Sequence, residues 1–188
     1  MRLGRDGTLV PPDWRQNIRM SESTTTARSA EFADRFEAAQ DEFIRLIESL
    51  DDERWQRVGK NYPQRVNDED EQRTVGVIAH HVATSGPFIL ERIQLMAAGT
   101  LLPPVGNFRE LNARHAAENA GVTRDEVLRV LRETRDPIAT AVRGIPDDQL
   151  DQQRETPVGP MSVAQRLERV LIGHLKMHQG SIEAAVAQ

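Results

Sequence analysis

Histidine is the residue type in this chain whose placement most suggests chemistry. There are five, His80, His81, His115, His174 and His178, and there is no cysteine. Without thiols the chain has no disulfide, no cysteine nucleophile, no thiolate metal ligand and no redox switch of its own. The most informative spacing is His174-Leu-Lys-Met-His178, because residues four apart on a helix are neighbours on one face. Two imidazoles so placed can grip one divalent ion. Leu167, Leu171 and Ile182 fall on the same face, so both rings look toward an apolar interior. Burial there costs desolvation unless the rings hydrogen-bond or ligate.

A third ring comes from earlier in the chain. His81 aligns with Ile78, Val82, Ser85 and the Phe88-Ile89 edge of a second apolar stripe, so it also faces inward. His80 is turned ~100° away, toward Gly76, Ala83 and Thr84, and is expected outside the ligand set or at an interface. One inward histidine plus the i, i+4 pair gives three neutral nitrogen ligands, His81, His174 and His178. Facing bundle helices build metal sites in this way. Three protein ligands leave a position open, as in catalytic zinc sites. The competing reading is plainer: an H-x-x-x-H spacing is a weak signal alone, and a histidine on an apolar stripe is more often a satisfied core residue. His115 reads first as a plain polar residue of a short helix, and second as one that reaches the site. Trp55 reads as a cover on the bundle end, and the run Asp68-Glu-Asp-Glu71 as a solvated loop.

The elements that must hold these residues are helical. Phe32, Phe36, Phe43, Leu46, Ile47 and Leu50 recur at helical spacing. Residues 56–72 are polar, contain Gly59 and Pro63, and read as a loop. A helix begins near Thr74 and carries Val77, Ile78, Val82, Ile89, Ile93 and Met96; Gly86-Pro87 inside it predicts a kink or local break, and Gly99 a stop. Phe108 to Ala120 is a short helical candidate. Thr123 to Glu126 and Ser162 to Gln165 have the form of capping boxes, each opening a further amphipathic helix, and Pro137 predicts a bend. No stretch shows sustained period-2 alternation. The expected fold class is all-α, a four-helix bundle with crossover connections and a short extra helix.

Composition bounds the rest. The chain has 188 residues, 24 Lys plus Arg against 29 Asp plus Glu, and a net charge of −5. That length suits one domain with a real core. Only 4% of residues are aromatic, so aliphatic side chains must fill it. The acidic balance disfavours broad nucleic-acid binding. No apolar run reaches the ~18 residues of a membrane span, and the first residues lack the apolar core of a signal peptide. Residues 1–28, with Pro11-Pro12 and the Thr24 to Thr26 run, read as a flexible arm preceding a domain at 29–188, with Met20 an alternative start. A cytoplasmic location is compatible with the absence of cysteine.

Several of these stretches resemble DinB-like proteins. Thr74-Val-Gly-Val-Ile-Ala-His-His81-Val-Ala is similar to the second helix of that family, with a histidine seven residues after the helix start. Met161-Ser-Val-Ala-Gln165 followed by His174-x-x-x-His178-Gln-Gly-Ser-Ile182 resembles its last helix, and Leu50-Asp-Asp-Glu-Arg-Trp55 its first corner. The resemblance spans roughly residues 29–186. It implies a four-helix bundle with a divalent-metal site of three histidines, here His81, His174 and His178, holding zinc, nickel or a related ion, and a homodimer. It also implies the activities known in the family, low-molecular-weight thiol transfer and mycothiol-dependent maleylpyruvate isomerisation. Val77 stands where relatives often carry Glu, and Gly86-Pro87 is unusual in that helix. A thiol nucleophile would have to come from a cofactor such as mycothiol or bacillithiol, acting on a small-molecule substrate. No general base is assigned, since Glu168 and Glu183 lie off the histidine face. Three functional readings stand at this point: a metal-dependent enzyme, a non-catalytic metal- or ligand-binding bundle with a stress-related role, and a histidine-bearing core without metal.

Overall fold

The computed structural model describes residues 2–3, 9–10, 27–60, 73–156 and 159–187. Most of the proposed N-terminal arm and the acidic run 68–71 lie outside them. Arg2–Leu3 (β1) pairs antiparallel with Leu9–Val10 (β2). The main elements follow: α1 (Ala27–Glu48), the single turn α2 (Asp52–Trp55), α3 (Val75–Ala97), α4 (Phe108–Glu118), α5 (Arg124–Arg143) and the single turn α6 (Asp147–Leu150). A two-residue hairpin, β3 (Gln153–Arg154) with β4 (Met161–Ser162), leads into the last rod. That rod is α7 (Val163–Arg166), a π-helical stretch (Leu167–Ile172) and α8 (Gly173–Val186). The fold is all-α, with strands limited to these short pairs among the described residues.

α1 lies along α5, α5 along α3, and α3 along the last rod. The amphipathic stripes meet in one core, where Phe36, Phe43, Ile78, Ile93, Leu131 and Ile182 are fully buried. Gln40 is the polar member of the α1–α5 seam, and its Nε2 donates to the Leu131 carbonyl at 2.6 Å. Outside the seam, Arg135 bonds Asp41, and Arg143 bonds Asp34 and Glu37. Such partly exposed pairs are each worth about 0–1 kcal/mol, so burial of the stripes carries the packing.

Helix ends follow the sequence. The Thr74 side chain accepts from Val77 N and starts α3. Thr123 caps α5 by accepting from Glu126 N, which is one half of the expected box, and Ser162 with Gln165 closes a full reciprocal box at α7. Gly99, with φ +73°, follows α3, a backbone region where glycine has no steric penalty. Of the two outcomes expected at Gly86-Pro87, the local break does not occur: α3 runs continuously from Val75 to Ala97. α5 likewise runs unbroken through Pro137. Both prolines have buried turns before and after them, Val82 and Ile89 around one and Leu131 and Ile138 around the other. Packing on both sides holds the helix across the missing hydrogen bond. The π stretch was also not anticipated. Gly173 N bonds the carbonyl of Glu168, five residues back, and the extra residue in that turn brings Ile172 into the core at 1% exposure.

Trp55 covers the end of the bundle as expected. It is 6% exposed, and its Nε1 donates to the Val122 carbonyl at 3.1 Å. Its ring packs on Gly76, where a Cβ would stand 2.7 Å from two ring atoms. Gly76→Ala is therefore expected to push the indole off its acceptor and destabilise the fold by about 1–3 kcal/mol, the range for overpacking. Urea unfolding would measure it; a loss under ~0.5 kcal/mol would show the indole moves freely.

Candidate metal centre

Three elements converge near the N-terminal half of α3. A strap after α2 pairs with the start of α3 through the Val58–Thr74 bridge and the Gly59 N to Arg73 O bond. Lys60 N also reaches the Ser181 carbonyl of α8. The strap thus ties α3 to the last rod at the level of the histidines.

There His81 of α3 meets His174 and His178 of α8. The Nε2 atoms of His81 and His174 are 3.1 Å apart. Ring centroids lie 5.1 Å apart for His81–His174, 5.1 Å for His81–His178 and 4.5 Å for His174–His178, all edge-on. One nitrogen from each ring can be chosen so that all three lie within 4.8 Å of one another. With Zn–N bonds of ~2.0–2.1 Å, nitrogens sharing a tetrahedral zinc stand about 3.3 Å apart. The closest pair already has that spacing. Moreover, Nδ1 of His178 is buried with no hydrogen-bond partner. Buried polar nitrogens are rarely left so. An ion held by the three rings would offset the cost of burying them, so these residues fit a divalent metal.

Electrostatics point the same way. Burial is the main cause pushing each of the three rings down from 6.5, to about 3 for His81, about 4 for His174 and about 2 for His178. The neighbouring rings lower His81 and His178 further, and the Arg73 guanidinium adds to all three shifts. At neutral pH all three imidazoles are uncharged, the state that ligates metal.

The other two histidines join the cluster, His80 at an interface with α4, one of the placements the sequence offers for it, and His115 facing it. Nδ1 of His80 lies 2.9 Å from Nε2 of His115, with the rings stacked at 5.0 Å. His115 also meets His81 edge-on at 5.6 Å. His115 is therefore no isolated polar residue: it brings α4 onto the histidine patch. Burial lowers the pKa of both, with Glu126 opposing the shift at His80. α4 has no buried residue of its own, so no apolar stripe could have told where it docks. The one available signal was that His80 faces away from the core, on a surface free to receive another element. Glu168, expected off the site, bonds Arg35 instead, and no Asp or Glu joins the three-histidine group among the described residues.

Comparison with known proteins agrees with this architecture. The model of the DinB superfamily matches residues 35–182. Among solved structures, the chain is similar to a mutant of a mycothiol-dependent maleylpyruvate isomerase, with TM-score 0.60 and 12% identity, covering 86% of this chain and 62% of that one. It is also similar to an uncharacterised protein from Clostridium difficile 630, with TM-score 0.58 and 13% identity, covering 83% of this chain and 94% of that one. This chain spans less than two thirds of the isomerase, and at such identities the likeness is one of fold. No curated protein sequence matches. With 35–182 matched by the family model, and the bundle and its histidines arranged as described, the chain belongs to the DinB superfamily.

Proposed function

We propose that this protein holds a divalent metal ion, zinc or nickel, on His81, His174 and His178, and uses it in chemistry with a low-molecular-weight thiol on a small-molecule substrate. The observation that carries this reading is the placement of three uncharged imidazole nitrogens within 4.8 Å of one another. Such an ion would supply Lewis acidity and lower the pKa of a bound water or thiol. The chain's own part is to position and to exclude. The i, i+4 pair on α8 sets two ligands on one rigid rod, and α3 sets the third across the seam. The Arg73 charge near these rings favours an anionic partner such as a thiolate. Since the chain has no cysteine, that thiol must be a separate molecule, and mycothiol and bacillithiol are the first candidates. The named isomerase of similar fold depends on mycothiol, which supports the same direction. The working unit proposed is a domain at 29–188, acting as a cytoplasmic homodimer.

A second reading is favoured by one observation. No carboxylate accompanies the three histidines among the described residues, so no general base stands ready. On that reading the protein binds a metal or ligand without turnover. Untagged protein should carry close to one divalent ion per chain by elemental analysis. Loaded protein would then be incubated with mycothiol, bacillithiol or glutathione and an electrophilic acceptor. Thiol-dependent, chelator-sensitive turnover is expected. Bound metal without turnover over the whole panel leaves the binding reading, and no bound metal overturns both.

A further inference from the structure

The far half of the bundle buries two positive charges with no acid beside them. Arg92 of α3 is 3% exposed and Arg166, the last residue of α7, is 8% exposed. No Asp or Glu is buried among the described residues. Buried guanidinium groups are ordinarily paired with carboxylates, because removing the charge from water costs several kcal/mol per ion. Here the pairing is missing. One Arg92 nitrogen donates to the Pro103 carbonyl at 2.7 Å, and its Cζ lies 5.4 Å from the centre of the Phe88 ring. Arg166 fares worse: its Nε is buried and has no hydrogen-bond partner. Burial lowers the Arg166 pKa, and the charge of Arg92 adds to that effect. α7, which ends at Arg166, and the π stretch both pack on α3, the helix that carries Arg92.

We propose that Arg92 and Arg166 form a site for an oxyanion group, a carboxylate, phosphate or sulfate, bound between their guanidinium groups. Such a group presents two or more acceptor oxygens to the planar forks of arginine, forms charge-assisted hydrogen bonds, and neutralises two buried like charges at once. It also gives the buried Nε an acceptor. The site is separate from the histidines. His81 and Arg92 lie eleven residues apart on α3, ~16 Å along a helix axis. It does not rest on the metal reading.

The test is thermal unfolding and calorimetric titration of the full chain with inorganic phosphate, sulfate and acetate, at constant ionic strength made up with sodium chloride. Calorimetry should show saturable binding of at least one anion, and that anion should raise the Tm by about 5 °C or more at a hundred times its Kd for a chain of this size. Which anion binds tightest identifies the class. R166M should weaken that anion at least tenfold and so cut the shift at that concentration by about half or more, while R166K, which keeps the charge but not the fork, should fall between. R114M, at an exposed arginine of α4, should bind as the parent does. In chloride alone R166M should melt no lower than the parent, because it removes an unpaired buried charge. The shift should be the same with and without added zinc. A parent with no saturable binding of, and no Tm shift from, any of the three anions would overturn the proposal. So would a shift undiminished in R166M, or failure of R166M to fold in chloride, which would mean the chain itself already satisfies Arg166.

Discussion

Alanine at position 174 is expected to empty the proposed metal site while leaving the bundle folded. His174 contributes the nitrogen closest to His81, at 3.1 Å, and shares a helix face with His178. Losing it leaves two ligands on different elements. Loss of a residue that only orients a ligand commonly costs 10–100-fold in metal affinity, so loss of a ligand should exceed ~100-fold. The fold should survive, because alanine is the best helix former and the core residues around it, Leu171, Leu175 and Ile182, are untouched. The check is elemental analysis and competitive zinc titration of untagged protein, with His80→Ala beside it. His80 lies outside the three-ring group, so its variant should keep its metal. A His174→Ala protein that binds zinc as tightly as the parent would show that the ion, if any, is held elsewhere.

The metal-free protein should lose stability steeply as pH falls below 6.5. The sign follows from which state takes up protons. In the unfolded chain each histidine titrates near 6.5. In the folded chain His174 stays uncharged until about pH 4, His81 until about 3 and His178 until about 2. Their contribution is complete above pH 6.5 and drains away as pH drops through the interval down to those folded values, because only the unfolded state binds the protons. Each ring contributes about 1.4 kcal/mol per pH unit, so three give roughly 4. His80 and His115, also shifted down by burial, act in the same direction. A domain stable by 5–15 kcal/mol would therefore unfold within roughly 1.5–4 units below pH 6.5. The range from 6.5 to 5 isolates the imidazoles, since the lowered carboxyl of Asp41 makes its own loss only at lower pH. Urea titrations in a chelator at half-unit steps from pH 7.5 to 5 would measure the slope. A stability that stays level across that range would show the rings are already charged, or already exposed, in the folded protein.

The amino-acid sequence alone determined the rods, their caps and three of the five histidines. Spacing of apolar residues is local information, and so are the capping side chains of Thr74, Thr123 and Ser162. His81, His174 and His178 were legible because each lies on a stripe that must turn inward. What only the tertiary structure decided depends on contacts between distant segments. The docking of α4, and with it the His80–His115 pair, left no mark in hydrophobic periodicity because α4 buries nothing of its own. The continuity of α3 through Pro87 reflects packing on either side of the proline, which outweighs a local helix-breaking preference. The π turn before His174 and the burial of Arg92 and Arg166 without acidic partners arise in the same way. They are set where α3 and the last rod press together, and no window of sequence contains both.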